Sequence, residues 1–124
     1  MSVFETWESS DGKARFSFSH SDEIFTTGIL TLQPGAELAR HNRPLARENL
    51  LQISGSCKMT LSDENGDNEH VHELTPGISL SMDKGQWHVH ANPFDEESIT
   101  LFKADGDITA VMKVVRETMV KIQS

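Results

Sequence analysis

Apolar and polar residues alternate with period two through most of this chain. In 13–20, KARFSFSH, Ala14, Phe16 and Phe18 alternate with Lys13, Arg15 and Ser17. Successive side chains of a strand point to opposite faces, so this pattern predicts a strand with one face buried. Segment 24–33, IFTTGILTLQ, is rich in β-branched and aromatic residues and stops at Pro34-Gly35. Further strands are expected at 48–54, 57–62, 69–74, 78–82, 86–91 and 97–103. Gly55, Asn65-Gly66 and Pro76-Gly77 punctuate them, and Asn-Gly is the strongest short hairpin signal. Short strands at this spacing point to a sandwich or barrel. The period then changes. From Asp107 to Ile122 the apolar residues Ile108, Val111, Met112, Val115, Met119 and Ile122 recur at three and four. That predicts an amphipathic helix, started by Asp107, that packs on the outside of the strands or against a partner subunit.

Composition narrows the class. A chain of 124 residues is long enough for one domain with a core and too short for two ordinary ones. Hydrophobic content of 36% and charged content of 24% suit a soluble globular protein. The net charge of −8 argues against a duplex-binding surface, which needs a basic stripe; no nucleic-acid partner is expected. Arg40, Arg43 and Arg47 form the closest basic grouping. No apolar run approaches the roughly 20 residues that span a bilayer, so no membrane partner is expected. The N-terminus, MSVFETWESS, lacks a basic, apolar signal pattern, and a single Cys57 fits a reducing compartment. Together these predict a cytoplasmic protein.

The chemistry concentrates in two stretches that each follow a glycine turn. The first holds Gly35, His41, Arg43, Glu48 and Gly55; the second holds Gly77, Asp83, Gly85, His88 and Asn92. Imidazoles and a carboxylate brought together inside a small β-barrel form a ligand set for a borderline divalent metal. Alternation puts Arg43 on the face of His41, and His90 on the face of His88. Two residues of strand advance about 6.6 Å, so His90 either completes a ligand set or stands beside it as a base or substrate contact. Gln52 shares the face of Glu48 and is another inward polar candidate.

These stretches resemble the two motifs of the cupin family. Against G(X)5HXH(X)3,4E(X)6G the chain reads PGAELARHNRPLARENLLQISG, with Arg43 where the second histidine is usual. Against G(X)5PXG(X)2H(X)3N it reads GISLSMDKGQWHVHAN, with Asp83 in place of the proline. The resemblance implies an all-β fold, a cupin-type double-stranded β-helix (jelly-roll) barrel, here with a C-terminal amphipathic helix. Residues 1–124 would form a single domain, its barrel core about 13–103 and its helix about 107–122. It implies a divalent metal (Fe, Mn, Ni or Zn) held by His41, Glu48 and His88. Arg43 is no ligand, because its guanidinium stays protonated and has no lone pair. The resemblance further implies a homodimer, with the apolar N-terminal segment around Phe4 and Trp7 joining a partner's sheet.

Two functions follow as expectations. The first is a metal-dependent enzyme, of isomerase or dioxygenase type, acting on a small polar or anionic substrate. In it Arg43 anchors an anionic group and His90 contacts substrate or moves a proton. The second is a non-catalytic binding or sensory barrel, in which Arg43 pairs with Glu48 and the metal site is incomplete or absent. The remaining candidates read as structural. His70 and His72 are expected on an exposed strand face or subunit contact, His20 in solvent, and Cys57 as a structural thiol. Trp87, opposite in face to His88, is expected outside the cavity, under the helix or at a dimer contact.

Overall fold

The alternation is realised most cleanly in β3 (Phe25–Leu32), where Thr26, Gly28, Leu30 and Leu32 are buried and the residues between them are half-buried. The fold is that of a computed structural model describing residues 4–122. Before β3 come β1 (Glu5–Glu8) and β2 (Ala14–Ser21). After it come β4 (Ala46–Ser54), β5 (Cys57–Ser62), β6 (His70–Leu74), β7 (Ser79–Met82), β8 (Trp87–Ala91) and β9 (Ser98–Gly106). The chain ends with helix α1 (Thr109–Thr118) and the short β10 (Val120–Lys121). All strand pairs are antiparallel. They form a seven-stranded sheet in the order β10-β1-β2-β3-β9-β4-β7 and a three-stranded sheet in the order β6-β5-β8. The expected barrel is therefore two sheets rather than one closed ring.

Backbone turns hold the two sheets together. Gly55, between β4 and β5, has φ of 64°, and a Cβ there would sit 2.0 Å from the Glu97 carbonyl oxygen, so no side chain fits. Residues 35–41 run beside β8 without forming a regular strand. Isolated bridges tie Glu37 to Ala91 and His41 to His88. The core has an aliphatic part between the sheets (Leu50, Met59, Leu74, Met82) and a part beneath α1 (Phe18, Met112, Val115). In the latter, Phe102 meets Phe16 and Phe18 edge to face, with centroids 6.2 and 5.8 Å apart.

Three expectations change. The helix is shorter than 107–122: Met119 is already extended, at φ −104° and ψ 166°, and Val120 and Lys121 pair with Glu8 and Trp7. Their three-four spacing is overridden by an available sheet edge. Asp107 does accept the Thr109 N–H at 2.9 Å, but from just outside the helix. The N-terminal segment pairs with β2 and β10 of its own chain, and Trp7 packs against the cluster beneath α1. Trp7 is thereby half-buried within its own chain, while Phe4 stays 38% exposed. Trp87 lies outside the cavity as expected, but the Arg40 guanidinium covers its ring at 4.6 Å instead of the helix.

Candidate metal centre

The site begins with a backbone exchange. His41 N–H donates to the His88 carbonyl at 3.0 Å, and His88 N–H returns the bond to His41 at 2.9 Å. Such a reciprocal antiparallel pair places both side chains on one face. The two rings meet edge to face with centroids 4.2 Å apart. Gly85, at φ 81°, donates its N–H to the Arg43 carbonyl at 3.0 Å, so the loops of the two motifs are tied together beside the rings. Glu48 enters from β4, flanked by Met82 of β7 and Ala104 of β9.

The hydrogen bonds identify the proton on each ring. His41 Nδ1 lies 2.6 Å from the Ala39 carbonyl, and His88 Nδ1 lies 2.9 Å from the Gln86 carbonyl. A carbonyl only accepts, so each Nδ1 carries the hydrogen and each neutral ring offers a lone pair at Nε2. Burial, then the Arg43 and His88 charges, lower the His41 pKa to about 3. Burial also lowers that of His88, against the opposing pull of Glu48. Ligand atoms of His41, Glu48 and His88 all lie within 4.8 Å of one another. Glu48 Oε2 faces His88 Nε2 at 3.9 Å, and Glu48 Oε1 is buried without a hydrogen-bond partner among the described residues. Three lone-pair donors thus share one space with no proton between them, an arrangement that a cation relieves. The residues fit a divalent metal: two neutral imidazoles and a carboxylate, each ring held by a backbone acceptor on its far nitrogen.

The remaining predicted residues surround this group. Arg43 Nε is 3.6 Å from Glu48 Oε1, an ion pair too long for a hydrogen bond. His90 points inward but stands outside the three-residue group; it is 4% exposed, and its Nε2 has no partner among the described residues. Burial, then the neighbouring His88, lower its pKa to about 4. Gln52 is inward and buried, but its amide is consumed by Ser98, Ser54 and Thr100. Cys57 is buried, its pKa raised to about 11 by that burial, which makes it an inert thiol. His70 and His72 are exposed on β6. His20 is exposed, 2.8 Å from Asp22. Asp83 is also exposed and pairs with Arg47 at 2.6 Å.

The sequence does not reveal what lies beyond the imidazoles. A cavity of about 640 Å³ is walled by His41, Arg43, Glu48 and His90 on one side and by Phe16, Phe18, Phe102 and α1 on the other. The Phe16 and Phe18 alternation was the available signal. A polar hollow of about 570 Å³, lined by Asp63, Asp83 and Trp87, contains none of the three ligands.

Similar structures carry varied chemistry on this fold. Peruvianin-I, a cysteine peptidase from Thevetia peruviana latex, is 19% identical with a TM-score of 0.61, covering 67% of this chain and 51% of its own. An oxalate oxidase is 17% identical with a TM-score of 0.60, covering 66% of this chain and 42% of its own. The chain thus spans about half or less of the length of these two. The cupin domain of Drosophila melanogaster CENP-C is 17% identical with a TM-score of 0.69, covering 80% of this chain and 74% of its own. Such likenesses establish the fold and not the reaction. No curated protein matches the chain. A model of the cupin domain matches residues 28–102, and with the jelly-roll topology and the two motifs this makes the chain a member of the cupin family.

Proposed function

We propose that this chain is a metal-dependent cupin enzyme acting on a small anionic substrate by isomerase- or dioxygenase-type chemistry. His41, Glu48 and His88 would hold the divalent ion, whether Fe, Mn, Ni or Zn. The observation that carries this reading is that ligand atoms of His41, Glu48 and His88 lie within 4.8 Å of one another, with each Nδ1 facing a backbone carbonyl and Glu48 Oε1 unpartnered among the described residues. Bound there, such an ion supplies Lewis-acid polarisation of a substrate oxygen and leaves coordination positions open. Charge then argues for the substrate. Glu48 and Arg43 cancel and the imidazoles are neutral, so a divalent ion leaves two positive charges for an anion to match. Arg43 presents its guanidinium fork to that anion. His90 Nε2, buried and without a hydrogen-bond partner among the described residues, would hold or move a proton on the cavity wall. The same reading places the protein in the cytoplasm as a homodimer of single-domain chains. No helix among the described residues is long and apolar enough to cross a membrane.

One observation favours a second reading, a binding or sensory barrel without chemistry. Arg43 already faces Glu48 at 3.6 Å and could close on it in the absence of metal. Elemental analysis of untagged protein separates the two. The enzyme reading expects about one metal per chain, lost in His88→Ala with the fold intact. Protein that stays metal-free after incubation with Fe, Mn, Ni and Zn salts would exclude it.

A further inference from the structure

The cavity that reaches the candidate metal centre has a polar end and an apolar body. Of its seventeen lining residues, five carry polar side chains: His41, Arg43, Glu48, His90 and Thr118. The apolar wall comes from Phe16, Phe18 and Phe102 on the sheet and from Val111, Met112 and Val115 on α1. At about 640 Å³ it lies within the roughly 300–1,000 Å³ range of small-molecule pockets and far exceeds what a two-carbon acid fills. Water along such a wall finds few hydrogen-bond partners, so displacing it by an apolar group is favourable. His90 adds an independent sign of a ligand: a 4%-exposed ring that lines this space and whose Nε2 has no partner among the described residues. An unpaired buried nitrogen is costly unless something else supplies the bond.

We infer that the ligand is a carboxylate with a predominantly apolar body. The head sits at Arg43, His41 and Glu48, the body lies between the phenylalanines and α1, and a hydrogen-bonding group on the body meets His90 Nε2. The inference deepens the proposed function and rests on it for the head group; the apolar body is argued from the cavity wall alone. The fold thereby gives α1 a task beyond packing. It selects for the length and greasiness of the substrate, while the motif residues see only the head. The expectation of a small polar or anionic substrate is sharpened to one that is anionic at one end and apolar over the rest.

The test is calorimetric titration of the full-length, metal-loaded protein with straight-chain monocarboxylates from acetate to octanoate, and with glycolate and oxalate as short polar acids. Affinity should climb about fourfold per methylene until the cavity is filled. Val111→Trp, which projects an indole into the cavity, should weaken octanoate at least tenfold and keep the metal content of the parent. A flat series, or glycolate and oxalate binding more tightly than octanoate, overturns the inference without the need for any variant. Repeating the series on metal-free protein separates the two claims. A chain-length slope that persists in protein unable to take up metal would sink the metal reading and leave the apolar pocket standing. Stoichiometric metal with a flat series would do the reverse.

Discussion

Strand β4 carries two inward polar side chains four residues apart, and they are treated in opposite ways. Gln52 is 1% exposed and fully used. Its Nε2 donates to Ser98 Oγ at 3.0 Å and to the Ser54 carbonyl at 2.9 Å, while its Oε1 accepts from Thr100 Oγ1 at 2.7 Å and Cys57 Sγ at 3.3 Å. Glu48, two repeats of the pleat away, has an oxygen with no hydrogen-bond partner among the described residues and groups with the imidazoles of His41 and His88. Gln52 is buried and Glu48 only half-buried, yet the more buried cluster is not the candidate site, so burial alone does not mark function. The distinguishing mark is unspent hydrogen-bonding capacity, which native interiors seldom leave without a reason. The Gln52 group closes on itself and holds β4 to β9 and β5. The Glu48 group keeps one carboxylate oxygen without a hydrogen bond among the described residues, with Arg43 at 3.6 Å from it.

That contrast can be broken at either end. The largest expected effect is His88→Ala, which should lower metal affinity more than about a hundredfold, beyond the 10–100-fold that a merely supporting residue costs. Melting temperature of the metal-free form checks that the fold survives. Gln52→Ala should do the opposite. It strands the Thr100 and Ser98 hydroxyls and opens a cavity, costing about 3 kcal/mol in urea unfolding and leaving metal per chain unchanged. Equal loss of metal in both variants would erase the distinction. Arg43→Met should weaken a bound carboxylate by about 2 kcal/mol, the scale of one charge-assisted contact in a desolvated site, with an unaltered metal content.

Two smaller effects sharpen the comparison. In metal-free protein, His41 and His90 take a proton only near pH 3 and 4, whereas in the unfolded chain they titrate near 6.5. As pH falls below about 6.5 the unfolded state gains protons that the folded state refuses, so stability is full above that pH and is lost progressively toward about 4. The slope is at most about 1.4 kcal/mol per pH unit per histidine. Denaturant midpoints at pH 7 and pH 5 measure it, and equal midpoints would contradict it. Last, His90→Leu should stabilise the metal-free protein by about 1 kcal/mol by removing an unpaired buried nitrogen. It should also flatten that pH slope. Destabilisation instead would mean that His90 has a partner within the fold.

Much of the fold was legible because it rests on local rules. Alternation located β2 to β9 to within a few residues, and the turns fell at Gly55, Asn65-Gly66 and Pro76-Gly77. The strands that escaped, β1 and β10, are four and two residues long. β1 pairs along its whole length with β2, and β10 exists because Val120 and Lys121 find Glu8 and Trp7, a pairing that no window of sequence contains. Motif spacing brought out His41, Glu48 and His88, and alternation turned His90 inward. Spacing could not say that His90 stands apart from the three. Nor could it show that Gln52 is spent on β9, or that α1 roofs a cavity floored by Phe16, Phe18 and Phe102. Each depends on how elements dock, and periodicity reports only which face is apolar, not what that face encloses.

The most direct test of the central claim is to observe the six histidine rings by long-range ¹H–¹⁵N NMR while zinc is added to the metal-free protein. The account predicts saturation at one equivalent. The Nε2 resonances of His41 and His88 should take on metal-bound shifts with Nδ1 still protonated, and His20, His70 and His72 should not move. Zinc that instead collects on the exposed His70 and His72, or leaves His41 and His88 unchanged at saturation, would contradict it.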